Sequence, residues 1–240
     1  MVTNSRLRRN LAEACRILDS CRLVHGYGHV SARAQDGKTV LISPRKGVGL
    51  VRSPREILQI DMDGNTVSGN KQGRQKIQDR SKPPLELFLH TEIYRLRPDV
   101  NAICRTHGMF SLVMSVLRRP LRTVHELAVA VGPVVPLFDN PELIASPAMG
   151  QRLAEALGTA RGLLMRGNGA LSVGATVEEA VVNAILMETS AEVQWRALCV
   201  GEPAWIAGDK DSGEFAKLAR REYEAVQRPW QYYLARSRDK

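Results

Sequence analysis

The sequence predicts an α/β layered domain built on a largely antiparallel sheet. Long stretches repeat apolar residues at helical spacing, while short ones alternate at strand spacing. Tight polar turns, Asp36-Gly37 and Gly167-Asn168-Gly169, join adjacent strand-like runs into hairpins. Helical and strand-like segments also interleave along the whole chain instead of segregating into halves, which is the pattern of a layered fold. At 240 residues, 44% apolar and 25% charged, the chain suits one soluble domain, 1–240, large enough to bury a core.

The elements follow in order. An amphipathic helix is expected over residues 5–24, with Leu7, Leu11, Ala14, Leu18 and Cys21 on its apolar side. Val30 to Ala34 and Thr39 to Ile42 alternate around Asp36-Gly37 and read as a hairpin, and Ile57 to Asp61 as a further strand ending at Asp63-Gly64-Asn65. Residues 66–82 are polar and read as a mobile loop. The stretch "LELFLHTEIYRLRP" is helical and stopped by Pro98. A strand from Val100 to Thr106, a helix from Met109 to Leu117 and a short strand over Val134 to Leu137 follow. Next comes a helix from Pro147 to Leu157, then "ARGLLMRGNGALSVG" as two strands with Asn168 at positive φ in the turn. A long helix starts at "TVEEA", with Thr176 as N-cap and Glu179 at the capping-box position. A helical tail over about 213–238 closes the chain and carries Tyr223, Trp230, Tyr232 and Tyr233.

Several classes are argued against. No apolar run reaches the length of a membrane span, and the basic start MVTNSRLRRN has no hydrophobic stretch after it, unlike a secretory signal. Cys15, Cys21, Cys104 and Cys199 show no paired spacing, so a reducing, cytoplasmic setting is expected. The net charge of +9 collects at the two ends without forming a stripe or a recognisable module. It points to solvated helix faces and anionic small molecules, not to nucleic acid.

Five histidines are present, at 25, 29, 90, 107 and 125, and none forms an HxH or HExxH pair. Glu86 and His90, four apart on one helix, share a face and read as a surface or interface hydrogen bond or as an acid–base pair. Arg105 and His107, two apart at a strand end, share a face by alternation. Gly28 hinges "GYGHVSAR", where backbone N–H groups with Ser31 and Arg33 can meet an anion.

The order of "GYGHVSAR", "ISP", "PPLELFLHTEIYRLRPDVNAICRTHG", "PELIASPAMGQRLAEALG" and "GLLMRGNGALSVGATVEEAV" resembles the class II aldolase/adducin family over roughly Leu11 to Trp195. The resemblance implies a fuculose-phosphate-aldolase-like fold, three layers α/β/α around a mostly antiparallel sheet. It also implies a homotetramer with interfacial sites, and lyase chemistry beside a divalent metal. That metal is usually held by an H-x-H pair and a third histidine, with a glutamate handling protons. Matched residue by residue, the glutamate is Glu86, the pair falls on Arg105 and His107, and the third histidine on Asn168. Only His107 survives as a metal-ligand candidate. Zinc, manganese or iron therefore requires completion by His29 or a neighbouring subunit, and no cofactor is the primary expectation. Arg105 cannot lose its proton and is expected to take over the cation's role, stabilising negative charge.

The phosphate-binding positions of the sugar-phosphate aldolases fall on His29, Pro84 and Leu85, which cannot rebuild a phosphate cradle. The "GHVSAR" and "PPxE" variants are instead similar to members acting on unphosphorylated carboxylates, including decarboxylases of hydroxylated aromatic acids. The expected catalytic set is Glu86, Arg105 and His107. Gly28, His29, Ser31, Ser43, Asn168 and Tyr233 are expected to bind substrate, with Arg33, Arg45 and Lys46 as further anion contacts. Tyr233 reads equally as interface packing. The competing expectation is an adducin-like ligand-binding or assembly protein with a vestigial site.

Overall fold

Apolar alternation along each strand decides which helices cover which face of the sheet in the computed structural model, which describes residues 3–67, 82–206 and 223–238. The chain opens with α1 (Asn4–Ser20), then β1 (His29–Arg33), β2 (Thr39–Ile42), β3 (Leu58–Asp61) and α2 (Leu87–Leu96). It continues through β4 (Ala102–Thr106), α3 (Met109–Val116), β5 (Leu121–Arg122), β6 (Val134–Val135), β7 (Leu137–Phe138) and α4 (Pro147–Leu157). It ends with β8 (Gly162–Met165), β9 (Gly169–Gly174), α5 (Val177–Leu198) and α6 (Arg228–Arg236). Seven strands form one sheet in the order β3-β2-β1-β4-β9-β8-β7, in which β7–β8 alone is parallel. β5 and β6 pair apart from it.

On one face Val30, Ala32, Leu41, Ala102 and Cys104 pack under α1, α5 and Trp230 of α6. On the other, Val40, Ile42, Ile103, Leu171 and Val173 pack under α2 and α4. The expected three-layer α/β/α arrangement is therefore the one observed. Gly150 lets α4 cross α2 closely, since a Cβ there would meet the Phe88 carbonyl oxygen at 2.5 Å.

Local chemistry explains where the boundaries depart from expectation. α1 stops at Ser20, not near Val24, because Arg22 takes a left-handed φ of 59°. The single strand expected over Val134 to Leu137 is broken at Pro136, which has no N–H to share, and its halves enter different sheets. Asn168 is not in the left-handed region. The glycines on either side are, at φ 67° and 81°, leaving the asparagine free to aim its side chain. Thr176 does cap α5, accepting from Glu179 N–H at 3.1 Å, but the Glu179 carboxylate reaches back to Ala175 N–H instead of Thr176. Residues 68–81 of the polar loop lie outside the described residues, as do 207–222, which include the start of the expected tail.

Candidate active site

Four elements converge at one end of the sheet's α2/α4 face: the end of β4, the start of β1, the N-terminus of α2 and the β8–β9 turn. β1 and β4 are antiparallel neighbours in a register that sets His29 directly opposite Arg105. Glu86 stands at the N-cap position of α2, so its carboxylate hangs over that pair. The β8–β9 turn is drawn close to β4 at Gly169, where a Cβ would collide with the Thr106 carbonyl oxygen. Asn168 is thereby brought over the same point. Gly28 opens β1 at φ 111°, and a Cβ there would meet Val24 Cγ1 at 2.6 Å and the Arg105 carbonyl oxygen at 3.1 Å. Only glycine fits that approach.

Arg105 is the largest fully buried side chain described, 1% exposed, and its guanidinium is the hub of the site. Its Nε donates to Glu86 Oε2 at 3.2 Å, Nη2 to Asn168 Oδ1 at 2.7 Å and Nη1 to the Thr106 carbonyl oxygen at 2.7 Å, while Nη2 also stands 3.1 Å from Glu86 Oε2 as its ion-pair partner. The triangle closes because Asn168 Nδ2 donates to Glu86 Oε1 at 2.9 Å, which also accepts from Ile144 N–H at 3.3 Å. Burial of Glu86 works to raise its pKa, but the imidazole of His29 facing it and the charge of Arg105 hold its carboxyl well below the usual carboxylate range. Glu86 is thus ionised while it faces the guanidinium.

A second polar row leads away from Glu86. His29 Nε2 lies 3.8 Å from Glu86 Oε2, and His29 Nδ1 shares a 2.6 Å hydrogen bond with His90 Nε2. His90 Nδ1 lies 2.7 Å from Ser31 Oγ, which is 2.8 Å from Tyr94 Oη. Burial pushes both imidazoles down, His90 well below its ordinary value, so both are neutral at pH 7. Residues 86, 90 and 94 form one stripe of α2 and residues 29, 31 and 33 one face of β1. The two stripes mesh, and the Arg33 guanidinium covers the Tyr94 ring at 4.9 Å.

Glu86, Arg105, Asn168, His29 and Gly28 do come together. His107 sits just past β4, its N–H donating to the Leu23 carbonyl at 2.7 Å and its ring 6.0 Å from that of His25 and 6.1 Å from that of Tyr27. Burial first, then the charge of Arg105, lowers its pKa to about 3, so it is a neutral donor or acceptor. Glu86 and His90 make no surface bond with each other. His90 is fully buried and His29 stands between them.

The remaining candidates find their partners away from the Arg105 guanidinium. The Ser31 hydroxyl is enclosed between His90 and Tyr94, and Ser43 Oγ accepts from Val30 N–H at 3.1 Å. Arg33 donates to the carbonyl oxygens of Tyr94, Arg97 and Val100, Arg45 to that of Pro83, and Lys46 pairs with Glu56. Within one chain Tyr233 lies across the sheet, on the α1/α5 side, lining a cavity of about 540 Å³ with Ile185, Leu186 and Tyr232. The sequence reading missed the role of Glu188. From α5 its carboxylate accepts from Phe110 N–H, Ser111 N–H and Ser111 Oγ–H at 2.6–3.0 Å, capping α3 just beyond His107. Nothing in local spacing signals that contact, which is 77 to 78 residues long in sequence.

The donor set does not suit a divalent metal. The position between Glu86 and Asn168 is filled by a guanidinium, which offers no lone pair and repels a cation. Asn168 turns its only strong donor atom, Oδ1, to Arg105. Among the described residues no group of three or more His, Cys, Asp or Glu side chains is placed to hold a metal ion.

The three-layer domain thus closes a glutamate, a strand-end arginine and a turn asparagine over one point. The chain belongs to the class II aldolase and adducin N-terminal domain family, whose sequence profile matches residues 9–195. It is 27% identical over 246 residues to 3,4-dihydroxyphthalate decarboxylase of Arthrobacter keyseri, covering 98% of this chain and 95% of that one. It is 28% identical over 205 residues to 5-methylthioribulose-1-phosphate/5-deoxyribulose-1-phosphate aldolase of Rhodospirillum rubrum, covering 85% and 87%. The solved L-fuculose 1-phosphate aldolase of Glaciozyma antarctica PI12 superposes with a TM-score of 0.82 over 98% of this chain and 91% of that one. At 22% identity this is a likeness of fold. No helix among the described residues is long and apolar enough to cross a membrane.

Proposed function

We propose that this protein is a carbon–carbon lyase acting on a small unphosphorylated hydroxy- or keto-carboxylate, with decarboxylation as its reaction and Arg105 in place of the metal cation. The observation that carries the reading is the guanidinium of Arg105 bonded at once to Glu86 and Asn168, the site positions of the family gathered around a fixed positive charge. The nearly full-length likeness to a decarboxylase of a hydroxylated aromatic dicarboxylate supports the substrate class.

The chemistry follows from the charges. An incoming carboxylate or phenolate competes with Glu86 for the guanidinium, forming a bidentate or single charge-assisted bond. Glu86 then loses the charge that depresses its pKa and, in its buried place, becomes able to carry a proton. Glu86 takes its proton from the incoming substrate's hydroxyl or acid group. In a keto-acid the pair of the breaking C–CO₂ bond passes onto the ketone oxygen beside Arg105, and Glu86 then protonates the carbon. In a hydroxylated aromatic acid Glu86 first protonates the ring carbon bearing the carboxylate, giving a ring ketone, and the pair returns to that oxygen as carbon dioxide departs. His107, Asn168 and His29 orient the substrate. A homo-oligomer, tetrameric by family habit, and a cytoplasmic setting complete the reading.

One observation favours a second reading. The Glu86–Arg105 pair is closed and almost wholly buried, at 6% and 1% exposed, which also describes a retired site in an adducin-like binding or assembly protein. Turnover of a panel of hydroxylated benzoates, phthalates and short keto-acids separates the two. Carbon dioxide release by the parent chain that disappears in Glu86→Gln supports the lyase. Carboxylate binding without product from any member of the panel supports the second reading.

A further inference from the structure

The buried row from Tyr94 to Glu86 contains enough hydrogen-bonding groups to fix where every one of its protons lies. Tyr94 and Ser31 each bring one hydroxyl hydrogen, and the neutral imidazoles of His90 and His29 each bring one N–H. Between His29 Nδ1 and His90 Nε2, 2.6 Å apart, only one nitrogen carries a proton. The row therefore has two possible polarities.

If His29 Nδ1–H were the donor, its Nε2 would turn a bare lone pair toward the ionised Glu86 carboxylate 3.8 Å away. His90 Nδ1–H would then donate to Ser31, Ser31 to Tyr94, and the Tyr94 hydroxyl hydrogen would have no acceptor among the described residues, in a ring 2% exposed. The opposite polarity gives every buried hydroxyl hydrogen an acceptor and turns an N–H, not a lone pair, toward the carboxylate. Tyr94 O–H donates to Ser31 Oγ, Ser31 O–H to His90 Nδ1 and His90 Nε2–H to His29 Nδ1, leaving His29 Nε2–H aimed at Glu86 Oε2.

We infer that His90, backed by Ser31 and Tyr94, is a positioning residue that fixes His29 as the Nε2–H tautomer and makes it a permanent hydrogen-bond donor to anions at the Glu86–Arg105 site. Because Nδ1 of His29 is already engaged as an acceptor, the ring has no lone pair pointing into the site and does not act there as a base. It presents a neutral donor beside the cation of Arg105. The two together recognise an oxyanion, a carboxylate or a phenolate, without adding a second full positive charge. The assignment of the anion as substrate rests on the lyase reading; the tautomer itself does not.

The test is nitrogen NMR of full-length protein labelled with ¹⁵N-histidine, reading the two-bond correlations that distinguish a protonated ring nitrogen from a bare one. At pH 7 His29 and His90 are expected to show a protonated Nε2 and a bare Nδ1. His90→Gln, whose amide can still donate to His29 Nδ1, is expected to keep that pattern for His29. His90→Leu, with no donor, is expected to lose it, giving a mixed or doubly protonated ring. A parent spectrum with the proton of His29 on Nδ1 overturns the inference, and that spectrum decides alone if His90→Leu does not fold. An unchanged His29 pattern in a folded His90→Leu assigns control to Glu86 and also overturns it. The expected pattern in a protein with no lyase turnover would sink the proposed function and leave this inference intact.

Discussion

Replacing Arg105 with methionine removes the hub of the site while nearly preserving its apolar length, and its cost is calculable. Glu86 would be left 6% exposed with no counter-charge. Breaking a buried ion pair from one side costs about 3–5 kcal/mol. Glu86 can escape by taking up a proton, at about 1.4 kcal/mol for each unit between the ordinary carboxyl pKa of about 4.3 and the pH. That escape caps the charge-dependent part near 3.7 kcal/mol at pH 7 and near 1 kcal/mol at pH 5.

The direction with pH follows from the parent. Its folded Glu86 pKa is depressed, so the pair's contribution is present above the unfolded value of about 4.3 and is lost as pH falls through the folded value. Between pH 7 and 5 the parent's contribution is constant, whereas the unpaired Glu86 of the variant takes up a proton on folding, so the deficit shrinks on acidification by up to about 1.4 kcal/mol per pH unit. Urea midpoints of parent and variant at several pH values read this directly. A variant within about 1 kcal/mol of the parent at pH 7, or a deficit that does not change with pH, would refute the placement of an ionised Glu86 against Arg105.

Other outcomes are expected. Glu86→Gln lowers carbon dioxide release about 10²–10⁴-fold while carboxylate binding, measured by calorimetry, persists; equal turnover removes Glu86 from proton transfer. Protein purified without chelator and then challenged with zinc, manganese and iron carries far less than one ion per chain by mass spectrometry, and near-stoichiometric metal would mean that Arg105 is not the site's cation. Gly28→Ala lowers stability by about 1–3 kcal/mol, from the strain of φ 111° and the clash with Val24, checked as a fall in Tm. Glu188→Ala costs about 2 kcal/mol by leaving the α3 N-terminus uncapped, checked in the same way.

Periodicity and turn chemistry placed the elements well because they are local properties. Alternation in Val30 to Ala34, the Asp36-Gly37 turn and the Thr176 cap each depend on residues within a few positions of one another. Motif order reached further. It named the family and put Glu86, Arg105 and Asn168 in one site before any distance was known. It also set a guanidinium and an amide at the two positions where the resemblance implies metal-binding imidazoles, a difference written in the residue types themselves.

Only the tertiary structure decided what those residues do to one another. The burial that locks Arg105 onto Glu86, and with it the ionisation of Glu86, comes from the β1–β4 register and the overhang of α2, neither of which is a local feature. The same holds for the partners of Ser31, Arg33 and Ser43, whose hydrogen bonds span 13 to 67 residues of sequence. Spacing shows which side chains share a face. Which of them meet, and whether water is left between them, is fixed when α2 packs its polar stripe onto β1, because a buried donor must find its partner wherever the fold has put one.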